Sequence, residues 1–243
     1  QLADSFDLML DRLHDAFGAQ ERFAANASHE LRTPLTVTAT LLDVARQAPE
    51  QQDYPALIAR LSLTNARAIG LTEALLRLAD ANSVTAVAAP VDLAAIVRAA
   101  LDEIAEEAGH HGVAIDADLA AAPTTGDATL LGQLATNLIQ NAVRHNHTPG
   151  RVRIATARDL RRGTASLRVE NDGDLLTPAQ VARFTEPFLR GAGRVRRAGR
   201  ERGYGLGLAL VSRIVAIHDG TLALTPRAEG GLLAVAPLPD RAG

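Results

Sequence analysis

The amino-acid sequence predicts two folded parts: an all-α helical hairpin that forms a dimeric four-helix bundle, followed by an α+β two-layer sandwich. Over about the first 80 residues, apolar or small residues recur at alternating spacings of four and three, which indicates a coiled coil. A proline-containing break interrupts this stretch. After about residue 88 the pattern changes to short strands and helices, and 243 residues suffice for two domains.

Two apolar seams define the hairpin. The first seam contains Leu2, Phe6, Met9, Leu13, Ala16, Phe23 and Ala27, and the second contains Leu57, Leu61, Thr64, Ala68, Leu71, Leu75 and Leu78. Between them, segment 48–55 carries Pro49 and Pro55, which break helices because proline lacks a backbone N–H. Two helices bury little apolar surface alone, so we expect each hairpin to pair with a second copy in a homodimer.

The segment 28–35, Ser-His-Glu-Leu-Arg-Thr-Pro-Leu, departs from a plain coiled coil. The seam changes phase near residue 30, and the next apolar series is Leu31, Leu35, Leu42 and Ala45. Pro34 inside a helix costs about 3 kcal/mol, which a purely structural coil has no reason to bear. We therefore expect this segment to have a function.

His29 lies two residues beyond the seam position Ala27, so its imidazole is predicted to face solvent. A neutral imidazole has a ring nitrogen free to attack phosphorus. Glu30 can accept the proton of the other ring nitrogen, and Thr33, one turn further, can orient a water. The alternative, an ordinary exposed histidine on a helix, is disfavoured by the whole octet.

The second part follows a small-residue linker at 86–90. Periodicity predicts helices at 92–107, 127–145 and 206–218. Alternation predicts strands at 113–119, 151–158, 165–170, 221–225 and 232–236. Asp127 is the expected N-cap of the second of these helices, and 160–163 is the expected turn between two strands. Helices and a mixed sheet then form separate layers.

The helix at 127–145 carries polar side chains on one or two adjacent faces, namely Asn137, Asn141, Arg144 and His145. Amide oxygens one turn apart can share a hard cation, and Mg²⁺ needs few protein ligands when it also bridges phosphates. The alternative is a solvated polar face. His145 and His147 form another candidate metal pair, but no third ligand accompanies them.

A glycine-rich segment precedes the last predicted helix. It contains Gly203, Gly205, Leu206, Gly207 and Leu208. Glycines before a helix let backbone amides approach phosphates at the positive helix end. The basic stretch 190–202 before it is consistent with polyphosphate or nucleic-acid binding, although the net charge of −3 argues against a nucleic-acid partner.

The octet 28–35 resembles the H-box of the HisKA class of bacterial two-component sensor histidine kinases. Four later segments resemble the remaining boxes of that family in order: the N-box at 137–145, G1 at 169–175, F at 184–188 and G2 at 203–208. The resemblance covers nearly the whole chain. It implies an ATP-dependent protein-histidine kinase, with a Bergerat or GHKL catalytic domain, that passes a phosphoryl group to an aspartate of a response-regulator receiver domain.

The same resemblance implies roles for individual residues. His29 would be autophosphorylated, Glu30 would be the base, and Thr33 would serve phosphatase activity towards the regulator. Mg²⁺ would lie on Asn141 with support from Asn137. Contacts to ATP would come from Arg144, His145, Arg202, Gly203, Gly205, Leu206, Gly207 and Leu208, with 190–202 as the lid over the triphosphate.

The G1 match is imperfect. Asn171 stands where the family has Asp, and Leu175 stands where it has a second glycine. The adenine acceptor would be Asn171, or Asp172 as a shifted alternative, next to Gly173. A degenerate kinase that acts as a dimeric scaffold is therefore the alternative function. A GHKL ATPase clamp is disfavoured because such proteins lack an H-box hairpin.

The resemblance divides the chain into the end of a HAMP-like helix at 1–18, a dimerisation and phosphotransfer domain at 19–87, and a catalytic domain at 88–243. The absence of cysteine excludes disulfides, a thiolate nucleophile and a cysteine-ligated zinc. No run of about 18 apolar residues and no signal peptide occur. We expect the cytoplasmic portion of a membrane receptor whose anchoring segments precede residue 1.

Overall fold

The computed structural model describes residues 2–83, 88–189 and 203–239. The chain forms two compact units, Gln1–Leu76 and Arg77–Gly243. The division falls inside the second long helix, so residues 77–83 group with the second unit. No helix in the described ranges is long and apolar enough to cross a bilayer.

The first unit is a helical hairpin, as predicted. Helix α1 (Leu2–Gln47) is followed by a short 3₁₀ turn (Pro49–Gln51) and by helix α2 (Tyr54–Ser83). Asp53 caps α2, because its Oδ1 accepts a hydrogen bond from the Ala56 N–H at 3.0 Å. Pro55 is tolerated because the first helical turn needs no N–H donor.

The apolar stripe of α1 is wider than one partner helix covers. Leu31 and Ala45 of the predicted second series are half-buried, but Leu35 is 67% exposed and Leu42 is 46% exposed. A single hairpin therefore leaves half of this predicted apolar series exposed. The α2 seam behaves as expected, with Leu57, Leu71 and Leu78 buried and its other members half-buried.

The second unit is an α+β two-layer sandwich, which confirms the predicted fold class. Its five-stranded sheet runs β2 (Val113–Leu119), β4 (Gly150–Asp159), β5 (Thr164–Asn171), β7 (Leu232–Pro239) and β6 (Ala223–Pro226). Strands β2 and β4 are parallel, and the other neighbours are antiparallel. The helical layer consists of α3 (Leu93–His111), α4 (Ala128–Arg144) and α6 (Gly207–Ile217).

The core lies between the two layers. Every second residue of β5 and β7 is buried, while α4 buries an apolar face that includes Leu131, Leu134, Leu138 and Ile139. Each such side chain contributes about 1.5–3 kcal/mol relative to exposure. The remaining face of α4 keeps Asn137 and Asn141 half-buried, so packing of α4 determines where these two amides lie.

A second, two-stranded sheet occupies part of the predicted linker. Strand β1 (Ala89–Asp92) pairs antiparallel with β3 (Pro123–Gly126). Asp92 Oδ1 accepts hydrogen bonds from Ala94 N–H at 3.1 Å and from Ala122 N–H at 3.0 Å. One carboxylate thus caps α3 and holds the strand pair, a long-range contact that local pattern does not reveal. A short helix, α5 (Pro178–Val181), was also not predicted.

Candidate active site

His29, Glu30 and Thr33 lie on α1, in the first unit. His29 and Thr33 are exposed and Glu30 is half-buried. The Thr33 hydroxyl donates a hydrogen bond to the His29 backbone carbonyl at 3.0 Å, and Pro34 supplies no N–H to this turn. The exposed imidazole is therefore accessible, and the Thr33 oxygen retains lone pairs that can accept a hydrogen bond from water.

The polar face of α4 meets the beginning of α6 at Asn137. The Asn137 Nδ2 donates to the Gln133 carbonyl at 2.7 Å. A Cβ added to Gly207 would lie 3.1 Å from the Asn137 Oδ1, so glycine permits this close approach. Within the described ranges, neither the Asn137 Oδ1 nor the Asn141 amide has a hydrogen-bond partner, which leaves both oxygens as potential ligands.

The end of α4 contacts the G1 segment. His145 is the C-cap of α4, and its N–H donates to the Asn141 carbonyl at 3.0 Å. A Cβ on Gly173 would lie 2.7 Å from the His145 carbonyl oxygen, so only glycine fits against this helix end. Arg144 instead forms a two-pronged ion pair with Glu107 of α3 and is directed to that carboxylate.

The 171–175 turn begins at the end of β5. Asn171 is 4% exposed, and its Nδ2 donates to the Asp172 carbonyl at 2.7 Å. Its Oδ1 accepts no hydrogen bond from the described residues. Anchoring the amide nitrogen in this way orients the side chain and leaves its oxygen available as an acceptor.

Asp172 has a different arrangement from the one expected of an adenine acceptor. Its Oδ1 accepts from the Arg227 Nη1 at 2.8 Å, and its Oδ2 accepts from the Arg151 backbone N–H at 3.0 Å. Because both oxygens are engaged in holding the turn, Asp172 is poorly placed to substitute for Asn171.

The charges around this turn are held in their ionised forms. Burial raises the pKa of Asp172, but hydrogen bonds from Arg227 and the Arg151 backbone outweigh burial and bring it below the ordinary value. The hydrogen bond from Arg168, together with the nearby Arg227 charge, lowers the pKa of Glu170 despite its burial. Both carboxylates are consequently charged at neutral pH.

The glycine-rich G2 segment is connected to the F-box segment. The Phe188 N–H donates to the Gly205 carbonyl at 2.9 Å, and a Cβ on Gly205 would lie 2.8 Å from the Leu189 carbonyl oxygen. Gly205 has φ +71°, which favours glycine. The predicted lid, 190–202 with Arg202, lies outside the described residues, but the residues on either side of it are held together.

Helix α6 begins directly after this segment. Leu206 is buried and supplies no side-chain cap, while Gly203 is exposed and Gly207 and Leu208 are half-buried. Backbone N–H groups of a first helical turn have no intrahelical acceptor and carry the positive end of the helix dipole. This arrangement suits an anionic group beside Asn137.

Sequence reasoning predicted the two strands that form β6 and β7 but missed the contact of the hairpin between them with the 171–175 turn. Arg227 contacts the 171–175 turn, and Gly230 and Gly231 pack against its backbone with φ of +95° and +89°. The adjacent glycines before the last strand were a usable signal, whereas nothing local distinguishes Arg227. In the described ranges, no group of three or more His, Cys, Asp or Glu forms a metal cluster.

Two sequence families match this chain. The His Kinase A (phospho-acceptor) domain matches residues 19–84, and the Histidine kinase-, DNA gyrase B-, and HSP90-like ATPase family matches residues 126–242. Together they cover the hairpin with His29 and most of the sandwich with the converging asparagines and glycines. The chain belongs to the sensor histidine kinases.

Individual relatives agree with this class. The chain is 41% identical over 241 residues to the sensor protein CutS of Streptomyces coelicolor, covering 98% of this chain and 57% of CutS. It is 32% identical over 265 residues to the histidine-protein kinase/phosphatase MprB of Mycobacterium ulcerans, covering 100% of this chain and 49% of MprB. The chain thus spans about half the length of these relatives.

A solved structure shares the fold. Histidine kinase ThkA, in complex with response regulator protein TrrA, aligns with a TM-score of 0.74 at 17% identity, over 93% of this chain and 64% of the other. At this identity, the comparison shows a shared fold and does not show a shared activity.

Proposed function

We propose that this chain is the ATP-dependent protein-histidine kinase portion of a two-component receptor, which phosphorylates His29 and passes the phosphoryl group to a response-regulator aspartate. The observation that carries the proposal is that one chain combines an exposed histidine at a proline-containing helical turn with an ATPase-type sandwich. In that sandwich the amide oxygens of Asn137 and Asn171 accept no hydrogen bond from the described residues, and α6 begins without a side-chain cap.

His29 is the nucleophile of the proposed reaction. A ring nitrogen attacks the γ-phosphorus of ATP, an N–P bond forms while the O–P bond to the β-phosphate breaks, and ADP leaves. Glu30, the adjacent half-buried carboxylate, takes the imidazole proton. The phosphoryl group then moves from His29 to an aspartate of the regulator.

The nucleotide is held by groups of the second unit. The Asn171 Oδ1 accepts a hydrogen bond from the adenine amine, and the first N–H groups of α6 bind phosphate. The amide oxygens of Asn141 and Asn137, which accept no hydrogen bond from the described residues, fit a hard cation, so these residues would hold Mg²⁺. When bound, Mg²⁺ offsets phosphate charge. Arg144 is paired with Glu107 in the structure, so it would contact phosphate only after breaking this ion pair.

The proposed partners are a second copy and a receiver domain. Large apolar side chains exposed on the hairpin, including Leu35, Leu42, Ile58 and Ile69, need a covering surface that a second hairpin supplies. A receiver partner is supported by ThkA, which was solved with its response regulator. The name of MprB, a kinase/phosphatase, supports a phosphatase activity towards the regulator. We propose that Thr33 orients the water for this hydrolysis. We also propose that the whole protein is membrane-anchored and that this portion is cytoplasmic.

Labelling with γ-³²P-ATP and Mg²⁺ tests the proposal. We expect acid-labile, alkali-stable label on the wild type, none on His29→Gln, and normal label on His14→Gln, which removes another exposed histidine of α1. Because His29 is exposed and outside the second unit, His29→Gln should keep ADP affinity. Hydrolysis of ATP without labelled protein would favour an ATPase clamp. The absence of both labelling and hydrolysis would favour a scaffold.

A further inference from the structure

Arg227 is placed behind the 171–175 turn by the hairpin between β6 and β7. Its side chain is only 14% exposed. The Nη1 donates to the Asn171 carbonyl at 3.0 Å, the Asp172 Oδ1 at 2.8 Å and the Gly230 carbonyl at 3.1 Å. The Nε pairs with the Glu170 Oε1 at 3.0 Å. One guanidinium therefore connects the hairpin to successive residues at the end of β5.

The hairpin also meets the turn through its backbone. The Gly231 N–H donates to the Asp174 carbonyl at 2.9 Å. A side chain at Gly230 would collide with the Gly173 carbonyl, and one at Gly231 would collide with the Asn171 carbonyl. The hairpin thus supports the turn through several backbone contacts. It does so even though Leu175 stands where the family has a second glycine and lacks the backbone freedom of that residue.

These contacts bear on the orientation of Asn171. Arg227 donates a hydrogen bond to the Asn171 carbonyl, and the Asn171 side-chain nitrogen donates to the Asp172 carbonyl. Arg227 also contacts the Asp172 side chain, so it holds both residues. A planar guanidinium is suited to this task because its donors form a rigid fork. With the backbone and amide nitrogen fixed, the Asn171 Oδ1 has little freedom to turn away.

We propose that Arg227 is a positioning residue that fixes the Asn171 acceptor and thereby sets selectivity for a 6-aminopurine over a 6-oxopurine nucleotide. The proposal rests on the proposed function, in which Asn171 binds adenine. A rigid acceptor gains a hydrogen bond from an amine and meets an oxygen lone pair in the 6-oxo analogue. Phosphate binding at α6 should be independent of Arg227.

Calorimetric titration of the full chain with ADP and with inosine diphosphate tests this role. For Arg227→Met and Arg227→Lys we expect ADP affinity to fall about tenfold while inosine diphosphate affinity stays constant, because one positioned hydrogen bond is lost. Arg168→Met is the matched control. Arg168 is 52% exposed and bonds to the same Glu170 at 2.9 Å, but the Arg168 bond does not involve the turn. Its ADP preference should remain that of wild type.

The outcomes distinguish failure of the positioning role of Arg227 from failure of the proposed function. General loosening of the fold would lower both affinities together, so an unchanged ADP preference in the Arg227 variants overturns the positioning role. If Arg227→Met does not fold, Arg227→Lys decides, because it keeps the charge but lacks the fork. If Asn171→Ala loses the preference for ADP while both Arg227 variants keep it, only the Arg227 inference is overturned. No ADP binding by the wild type would overturn the proposed function.

Discussion

Thr33 and Pro34 both lie in the helical turn that follows His29. The Thr33 hydroxyl caps the carbonyl of the very residue proposed to carry phosphate, at 3.0 Å. Its oxygen can still accept a hydrogen bond from a water on the same exposed face. The residues proposed as nucleophile, base and water-orienting group, His29, Glu30 and Thr33, therefore occupy about one helical turn.

Thr33→Ala should reduce dephosphorylation of the regulator while sparing phosphorylation of His29. Autophosphorylation needs a nucleophile and a base, whereas hydrolysis of an aspartyl phosphate needs a positioned water. Loss of one exposed hydroxyl should change stability by about 0.5 kcal/mol or less. Phosphate release from purified phosphorylated regulator measures the effect. Thr40→Ala, which removes an equivalent hydrogen bond to the Thr36 carbonyl, should retain both activities. Phosphate release by Thr33→Ala at the wild-type rate would contradict a phosphatase role for Thr33.

Asn141 and Asn171 should affect nucleotide binding in distinguishable ways. If Asn141 holds the metal, Asn141→Ala should weaken ADP binding about tenfold in Mg²⁺ but hardly at all in EDTA. Asn171→Ala should weaken binding in both conditions, because Asp172 is engaged by Arg227 and Arg151 and cannot take over. Calorimetry in the two buffers distinguishes them. Identical profiles would contradict the division of roles.

At the scale of elements, a buried histidine connects two helices of the candidate nucleotide site. His218 follows α6, and its Nδ1 lies 2.8 Å from the Ile214 carbonyl. Its Nε2 accepts a hydrogen bond from the Asp127 N–H at 3.1 Å, directly before α4. The neutral form protonated on Nδ1 satisfies both contacts. The register of α4 against α6, and hence of Asn137 against Gly207, depends partly on this bridge.

The charged end of β5 should make stability depend on pH. Glu170 and Asp172 have folded-state pKa values below their ordinary values of 4.5 and 3.8. Their contribution to the free energy of unfolding is therefore complete at pH values above the ordinary pKa values. It is lost as the pH falls through the lower pKa values of the folded state. Urea unfolding between about pH 6 and about pH 3 should show a smaller loss of stability for Glu170→Gln than for wild type. Asp118→Asn, at an exposed carboxylate of β2, should follow wild type; equal slopes for all three would refute the assignment.

At the scale of the whole molecule, the hairpin exposes apolar surface that the proposed dimer would cover. Leu42→Glu should separate the copies, because each Leu buried in a dimer contributes about 1.5 kcal/mol or more. Two symmetric sites then raise the dimer dissociation constant about hundredfold. Sedimentation of the full chain measures this change. Gln47→Glu adds the same charge to α1 without removing an apolar side chain, so it should remain dimeric. A monomeric wild type would contradict the prediction.

Much of this molecule is predictable from local sequence. The break before Tyr54, the N-cap Asp127 and strand 113–119 agree with the structure because prolines, caps and periodicity act within a few residues. The His29 segment and the glycine-rich segments are recognisable for the same reason, since their chemistry lies in contiguous residues. The order and kind of the elements, and the candidate site residues that those elements carry, therefore follow from the amino-acid sequence alone.

The contacts between distant parts of the chain follow from the packing of the folded protein and not from local sequence. Pairing of β1 with β3, the place of β7 between β5 and β6, and the engagement of Arg144 by Glu107 all join segments far apart in the chain. The same holds for Arg227, whose contacts with Asn171 and Asp172 span more than fifty residues. Such contacts depend on how helices and strands pack, because packing brings together side chains whose local sequence contains no sign of their partners.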